Sequence, residues 1–350
     1  MKKWILCLIF TQLYAQGYNM QLLGTLSFGQ NTSDITGFAQ DGREFAVVGL
    51  QNAAAFVDVT DPSNPFELGR ISGGSSTWRD LKYWDRHVYI GTEASDGVKI
   101  VSVDDPDNPQ LVYTINDFTN SHNINIDEDG YLYVVGASQH AIWIYDLSNP
   151  ASPVLIGTWG SGGQNDYIHD LTVYNDKIYG ASIYNGYIYI IDISDKSNPQ
   201  TLVSYDTGGG YISSHDTAVT PDEQYLFTGD ENTGGHVKVW DISNYNNINL
   251  VAEYITSPNH SAHNLYWLDD KLYISYYADG TRVLDVSDPE NPVEIAYYDT
   301  SNIEGLYVGN WGTYPYLPSG NIISSDIETG LYVSQLGGVS VLHEPLSDMS

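Results

Sequence analysis

An internal repeat of about 44 to 50 residues constrains the fold of this chain most strongly. Each copy has a β-rich run, which in all but the last copy ends in a polar turn and in most copies closes with proline. The copies are FVDVTDPSNP (56–65), IVSVDDPDNP (100–109), IYDLSNPASP (144–153), IIDISDKSNP (190–199), VWDISNYNNI (239–248), VLDVSDPENP (283–292) and the shorter GLYVSQL (330–336). Proline lacks the N–H that continues a strand ladder, so each run stops at its turn. A period of this length is typical of β-propeller blades.

A complete copy contains four strand-like runs, and none of the runs has helical periodicity. In the copy that begins at His263 they are HNLYWL, KLYISY, GTRVLDV and VEIAYYD. The fourth run follows only six of the seven copies, but QLLGTLSF (21–28) near the N-terminus resembles it. A closed ring leaves no exposed sheet edges. The sequence therefore predicts an all-β fold, a seven-bladed β-propeller of four-stranded blades whose ring is closed by the N-terminal strand.

The aspartates of the repeated turns have an expected structural role. Asp side chains often accept hydrogen bonds from backbone N–H groups two residues further on. We expect this for the third-strand residues Asp58, Asp146, Asp192, Asp241 and Asp285. Calcium binding in these loops stays an alternative, although the ligand spacing of an EF-hand is absent from the sequence.

The ends of the chain predict export. Residues 1–16 combine a Met-Lys-Lys start with an apolar stretch, which indicates a signal peptide cleaved near Ala15-Gln16, with loss of the single cysteine, Cys7. We expect the propeller to span 17–336, a short tail to span 337–350, and the protein to be secreted or periplasmic.

With 44 acidic and 13 basic residues the net charge is −31, which disfavours nucleic-acid partners. Without a long apolar segment we expect no membrane insertion, and we expect a monomer.

Four histidines recur at one register of the repeat. His122, His169, His215 and His263 are 46 to 48 residues apart, and each is followed by Asn or Asp. The first strand of each propeller blade lines the central channel, so these side chains can converge at one channel mouth. Neutral imidazoles bind Zn, Cu or Mn well. The sequence therefore predicts a divalent transition-metal site and no organic cofactor. The following Asn or Asp either orient the rings or, through strand alternation, point away from them.

Three further residues are candidates for catalysis, namely Arg79, Glu304 and Glu231. We expect Thr36, Arg79 and Glu304 at the histidine register in blades one, two and seven, and Glu231 in a loop above the channel mouth. Arg79 could bind a carboxylate in two hydrogen bonds, and Glu304 could act as a ligand or a general base. An architectural role for the histidines is the alternative, but such a role would favour the same residue in all seven blades.

Three segments resemble a known family. SSTWRDLKYW (75–84), SAHNLYWLDDKLYISYYADGTRVLDVSDP (261–289) and GTYPYLPSGNIISSDIETGLYV (312–333) are similar to signature stretches of the LVIVD-repeat propellers called choice-of-anchor B proteins. The similarity extends over nearly all of the chain after the leader. It implies the propeller fold and a location outside the cytoplasm, but no particular reaction. Those proteins carry varied C-terminal surface anchors, whereas here GGVSVLHEPLSDMS follows Leu336.

Two classes of function stay open at this point. One is a metal-dependent exported enzyme, a lyase, hydrolase or oxidase, that acts on a small molecule or a saccharide. The other is a non-catalytic extracellular scaffold that binds a glycan or a protein. The sequence contains no glycine-rich phosphate loop, nucleophile elbow or HExxH motif.

Overall fold

The computed structural model describes residues 16–208 and 213–337 and consists of 29 β-strands. The leader other than Gln16 and the tail other than Gly337 lie outside the described residues, so the domain boundaries stay predictions. The first two strands are β1 (Gly17–Tyr18) and β2 (Met20–Leu26). Within the two described stretches no helix is long and apolar enough to cross a bilayer.

Seven antiparallel sheets follow one another along the chain. In blade one the strands are β3 (Thr32–Gln40), β4 (Arg43–Leu50), β5 (Ala53–Asp58) and β6 (Phe66–Ser72). In blade two they are β7 (Leu81–Trp84), β8 (His87–Ile90), β9 (Val98–Ser102) and β10 (Gln110–Ile115). In blade three they are β11 (Asn123–Ile126), β12 (Tyr131–Val135), β13 (Ile142–Asp146) and β14 (Val154–Trp159).

The remaining blades repeat this up-and-down order. In blade four the strands are β15 (Asp170–Tyr174), β16 (Lys177–Ser182), β17 (Tyr187–Asp192) and β18 (Gln200–Asp206). In blade five they are β19 (Ser214–Val219), β20 (Tyr225–Asp230), β21 (Val237–Asp241) and β22 (Asn249–Tyr254). In blade six they are β23 (Leu265–Leu268), β24 (Lys271–Ser275), β25 (Thr281–Asp285) and β26 (Val293–Tyr298). Blade seven takes β27 (Asn310–Tyr314), β28 (Asn321–Asp326) and β29 (Gly330–Leu336) from the end of the chain.

The N-terminal strand closes the ring, as the sequence predicts. β2 pairs antiparallel with β29, with Met20 opposite Leu336 and Leu26 opposite Leu331, and is the outermost strand of blade seven. The two-residue strand β1 was not predicted. It pairs with β26 as a fifth strand of blade six, with Gly17 opposite Tyr298. The N-terminal segment therefore joins blade six to blade seven.

The hydrophobic core is divided among the seven interfaces between blades. Between blades one and two, for example, Phe45 and Phe56 pack with Leu81 and Val101, all nearly fully buried. Burying one such side chain contributes about 1.5–3 kcal/mol relative to an exposed position. The last interface, between blades six and seven, includes Met20 of β2. This arrangement makes each blade depend on both of its neighbours.

The structure confirms the role that the sequence predicts for the turn aspartates. Asp58 Oδ1 accepts a hydrogen bond from the backbone N–H of Thr60 at 2.8 Å, and Asp146 Oδ1 accepts one from Ser148 at 2.7 Å. Asp192, Asp241 and Asp285 make the corresponding bonds two residues ahead. The repeated aspartate therefore stabilises the turn between the third and fourth strands of these blades.

Candidate metal centre

The structure brings the four histidines together at one mouth of the channel. Their rings follow one another around the channel, with centroid separations of 3.9 Å from His122 to His169, 4.3 Å from His169 to His215, and 4.3 Å from His215 to His263. His169, His215 and His263 are buried, and His122 is partly exposed. Residues that are 46 to 48 positions apart in the sequence are thus in contact, because each lies at the start of the innermost strand of its blade.

Glu231 completes the group. It follows β20, and its carboxylate oxygens lie 3.9 Å from His215 Nε2 and 4.0 Å from His263 Nε2. The Tyr277 hydroxyl donates a hydrogen bond to Glu231 Oε1 at 2.6 Å. One donor atom from each of His169, His215 and Glu231 lies within 4.8 Å of the others. Among the described residues, these three form the group with the spacing of a metal site.

Hydrogen bonds at Nδ1 orient two of the rings. His263 Nδ1 lies 2.6 Å from the backbone oxygen of Trp311, so this nitrogen carries the proton and Nε2 keeps its lone pair. His122 Nδ1 lies 2.6 Å from Glu93 Oε1, which holds that ring in the same way. Carboxylates and carbonyls in this position are the usual partners of metal-binding histidines. Both rings therefore have Nε2 available as a ligand.

The two central histidines have unsatisfied nitrogens. Neither His169 Nδ1 nor His215 Nδ1 has a hydrogen-bond partner among the described residues. Burial, together with the neighbouring imidazoles, holds the pKa of both rings well below its usual value. Burial also lowers the pKa of His263 to about 3. Neutral imidazole is the form that binds a metal ion, so these residues are ready to bind one.

The charge balance of the group also suits a cation. Burial raises the pKa of Glu231 to about 7, because few positive groups lie near enough to offset the loss of water around the carboxylate. A bound cation would remove this penalty and hold the carboxylate ionised. The donor set of imidazole nitrogens with one carboxylate is typical of zinc and other transition metals.

The assignments in blades one and seven were wrong. Trp311 of blade seven and His215 of blade five each lie in a bulge between two paired residues at the start of the first strand, so they share the register. Glu304 precedes β27 by six residues, its side chain is 89 % exposed, and its Oε2 lies 3.2 Å from His260 Nε2. The 48-residue spacing from His263 identifies Trp311 correctly, but its residue type concealed the match.

The corresponding position in blade one belongs to Ser33. Its hydroxyl donates to the backbone oxygen of Arg79 at 3.1 Å. Thr36 lies further along β3 and lines the opposite mouth of the channel. The register was misplaced because Ser33 shares no chemistry with histidine.

Arg79 lies at the predicted register but not in the expected role. Its side chain is buried, with Nε donating to the Leu50 oxygen at 3.0 Å and Nη2 donating to the Gly74 oxygen at 2.7 Å. These bonds tie Arg79 to blade one and to the loop before β7. The guanidinium therefore serves the packing of the first two blades, instead of presenting its edge to a substrate carboxylate.

The residues that follow the histidines also differ from expectation. Asp170 Oδ1 accepts from the N–H of Leu171 at 2.7 Å, and Asp216 Oδ2 accepts from the N–H of Leu265 at 2.7 Å. Alternation along the strand turns these side chains to the other side of the channel constriction. Asp170 Oδ2 also accepts from Asn123 Nδ2 at 2.6 Å, so both aspartates link neighbouring blades and do not orient the imidazoles.

A pocket of about 550 Å³ lies above the histidines. His122, His169 and Glu231 form part of its floor, and aromatic rings form much of its wall: Trp78, Tyr167, Tyr184, Tyr277, Tyr307 and Trp311. Sequence reasoning missed Tyr277, whose φ of 35° is unusual for a bulky residue. Only the fold shows that this tyrosine of blade six contacts Glu231 of blade five.

A glycine allows His122 to enter the group. Gly136 has a φ of 67°, and a Cβ atom there would lie 2.2 Å from His122 Cβ. A larger residue at this position would therefore displace the histidine.

Comparison with protein families gives one match. The family model of the LVIVD repeat matches residues 120–160, 169–207 and 267–300. These segments cover most of blades three, four and six. The search of curated proteins gives no match.

Proposed function

We propose that the channel mouth of this β-propeller, which contains LVIVD repeats, is a binding site for a divalent transition-metal ion, namely zinc, copper or manganese. His169, His215 and Glu231 would hold the ion, with His263 and His122 beside them. The observation that carries this proposal is the clustering of three donor atoms within 4.8 Å, from residues on two neighbouring blades.

The chain's own residues favour this use of the site. The Trp311 carbonyl and the Glu93 carboxylate lie at Nδ1 of His263 and His122, which leaves Nε2 of each ring facing away from these partners. The Tyr277 hydroxyl holds one oxygen of Glu231. A bound ion of this class acts as a Lewis acid that polarises a substrate oxygen. We therefore propose metal-dependent enzyme chemistry in this pocket, with Glu231 as a ligand of the ion.

The pocket indicates the class of substrate. Its volume of about 550 Å³ suits a small molecule or a short saccharide. Trp78 and Tyr307 at its rim are 41 % and 46 % exposed, and flat aromatic surfaces of this kind pack against sugar rings. The high negative charge of the chain favours a neutral substrate over an anionic polymer.

Metal analysis tests the proposal directly. Purified protein, reconstituted in turn with zinc, copper and manganese and then dialysed, should retain about one ion per chain. His169→Ala and His215→Ala should each abolish this retention and change the melting temperature little. His236→Ala is the matched control, because His236 is partly exposed and pairs with Glu253 away from the pocket. Failure of the unaltered protein to retain any of the three ions would refute the proposal.

A non-catalytic binding function is the second candidate, and the exposed aromatic rim favours it. In that case the pocket would bind a glycan without a metal. Glycan binding that survives EDTA and the His169→Ala substitution, but not Trp78→Ala, would support this alternative. Binding that requires the metal would favour the enzyme.

We also propose that the protein is exported. The positive start and the apolar stretch of residues 1–16 support this, with cleavage near Ala15. N-terminal sequencing of the protein recovered from outside the cytoplasm tests it. A chain that keeps Met1 and stays in the cytoplasm would contradict export.

A further inference from the structure

The channel has a second polar layer, one residue beyond the histidines. Six of the seven blades contribute a carboxylate or an amide to it: Asp34, Asp80, Asn123, Asp170, Asp216 and Asn264. Blade seven contributes Gly312, where a Cβ atom would lie 2.6 Å from Asp34 Oδ1. Side chains alternate in direction along each first strand. The residues of this layer therefore point away from the histidines, toward the opposite mouth of the channel.

The charges of this layer do not balance. Lys82 Nζ lies 2.6 Å from Asp80 Oδ1 and 3.6 Å from Asp34 Oδ2. Among the described residues that line the cavity at this mouth, Lys82 is the only basic one. Asp170 and Asp216 are both buried, and each receives only hydrogen bonds from neutral donors. Four carboxylates therefore face a single ammonium group.

The amides of the layer leave acceptors unsatisfied. Asn123 Nδ2 donates to Asp170 Oδ2 at 2.6 Å, and Asn264 Nδ2 donates to Asp34 Oδ1 at 3.4 Å. A carboxylate can only accept, so the nitrogen of each amide faces it and the oxygen points elsewhere. Asn123 Oδ1 and Asn264 Oδ1 have no hydrogen-bond partner among the described residues, and Asn264 is only 5 % exposed. Asp34 Oδ2, on a residue 4 % exposed, likewise accepts no hydrogen bond.

A cavity of about 480 Å³ lies at this mouth of the channel, and Asn123 and Asn264 are among the residues that line it. Its floor contains Asn123, Asp170, Asp216 and Asn264, and its wall is largely aromatic: Tyr174, Tyr266, Trp267, Tyr314 and Tyr316. The hydroxyls of Tyr174 and Tyr316 donate to the backbone oxygens of Pro221 and Trp267, which holds these rings in place. The cavity therefore combines an apolar, π-rich wall with a floor of acceptors and negative charge.

We propose that this cavity binds a small organic ammonium ion. Its N–H groups would donate to the amide oxygens of Asn123 and Asn264 beside the Asp170 and Asp216 carboxylates. Its apolar part would pack between the aromatic rings. The faces of these rings would also attract the positive charge of the ammonium group. An ammonium group fits because it carries donors and positive charge but no acceptor. A neutral saccharide brings hydroxyls that also need donors and leaves the excess of carboxylates uncompensated.

The proposed site shares no residue with the metal centre, from which it is separated by one position along each first strand.

Calorimetric titration of the full-length protein at pH 8 tests the proposal with matched probes. The probe is 2-phenylethylammonium, and its controls are the neutral 2-phenylethanol and the anionic phenylacetate. We expect the ammonium ion to bind at least about tenfold more tightly than the alcohol, which corresponds to about 1.4 kcal/mol, and the anion not to bind. Equal binding of the alcohol, preference for methyl glucoside, or no binding of the ammonium ion would each overturn the proposal.

Two substitutions place the bound ion in this cavity. Asp170→Asn removes one charge while its amide oxygen can still accept from the Leu171 N–H, and should weaken ammonium binding about tenfold or more. Asp129→Asn, at an exposed position, is the matched control and should have no effect. If thermal melting shows that Asp170→Asn does not fold, Tyr316→Leu at the rim of the cavity replaces it and should also weaken binding. Unchanged affinity in a folded cavity variant would refute the site, and unchanged affinity in His169→Ala shows that it does not depend on the metal centre.

Discussion

The Nδ1 atom of His263 lies 2.6 Å from the backbone oxygen of Trp311, the residue that occupies the same register in the next blade. The bond runs between two neighbouring blades and decides which nitrogen of the imidazole is protonated. Because the ring is also buried, its pKa falls to about 3. In this state Nε2 of His263 keeps its lone pair and can bind a metal ion at the channel mouth.

The first prediction concerns the protonation of His263. In metal-free protein, its ¹⁵N resonances should show a neutral ring with the proton on Nδ1 from pH 8 to pH 5. A free histidine, with a pKa of about 6.5, titrates within this range. The unfolded chain takes up a proton that folded His263 does not, so this residue makes stability fall as the pH falls from about 6.5 toward 3. A charged ring at pH 5.5 would contradict the geometry.

The second prediction concerns Tyr277. Its hydroxyl bonds one oxygen of Glu231, so Tyr277→Phe should lower the affinity for the metal ion about 10- to 100-fold, as is common for partners of metal ligands. Competition with a chromogenic chelator measures this change. Tyr307→Phe is the matched control, because its hydroxyl reaches only the backbone oxygen of Glu231 and should change the affinity little. An equal loss in both variants would mean that the Glu231 carboxylate is not involved.

The third prediction concerns Gly136. In Gly136→Ala the new Cβ would meet His122 Cβ at 2.2 Å, so His122 should move out of the group and metal affinity should fall. Gly42→Ala provides the comparison, because Gly42 also has a positive φ but no atom within 4 Å of the added Cβ. Gly42→Ala should lose about 1 kcal/mol of stability from backbone strain alone, and Gly136→Ala should lose more because of the added clash, as measured by denaturant unfolding. Only Gly136→Ala should alter metal binding, and identical metal affinities in the two would contradict the steric argument.

The fourth prediction concerns ring closure. A chain that begins at Asn19 lacks only β1 and should keep a cooperative melting transition, since β2 still pairs with β29. A chain that begins at Ser27 also lacks β2 and exposes the edge of β29. It should melt at a much lower temperature and aggregate, because an unpaired edge strand invites intermolecular pairing. Calorimetry and light scattering test this, and equal stability of the two chains would show that β2 does not close the ring.

Much of the fold was predictable because each blade repeats the same local chemistry. Alternating Val, Ile and Tyr form the strands, and aspartates such as Asp146 close the turns with a bond only two residues ahead. The spare strand at the N-terminus was recognisable from its similarity to other fourth strands. β1 was not, because a two-residue strand has no pattern of its own and exists only where β26 offers a partner.

The candidate site was predictable only in outline. The spacing of the four histidines required them to meet, since equal registers of neighbouring blades are adjacent in a closed ring. Thr36 and Glu304 were predicted at the histidine register, but strand pairing places Ser33 and Trp311 there. The acceptors of Arg79 could not be foreseen either, because they are backbone oxygens of other segments.

By itself, the sequence determined the strands, the turns, the number of blades and the convergence of the histidines. All of these follow from local periodicity and a constant repeat length. The tertiary structure alone decided which nitrogen of His263 carries the proton, that Tyr277 holds Glu231, and that Asn264 keeps an unsatisfied oxygen in the second layer. The physical reason is that hydrogen-bond partnership and burial depend on groups from neighbouring blades, tens of residues away in the chain, whose positions exist only once the ring has closed.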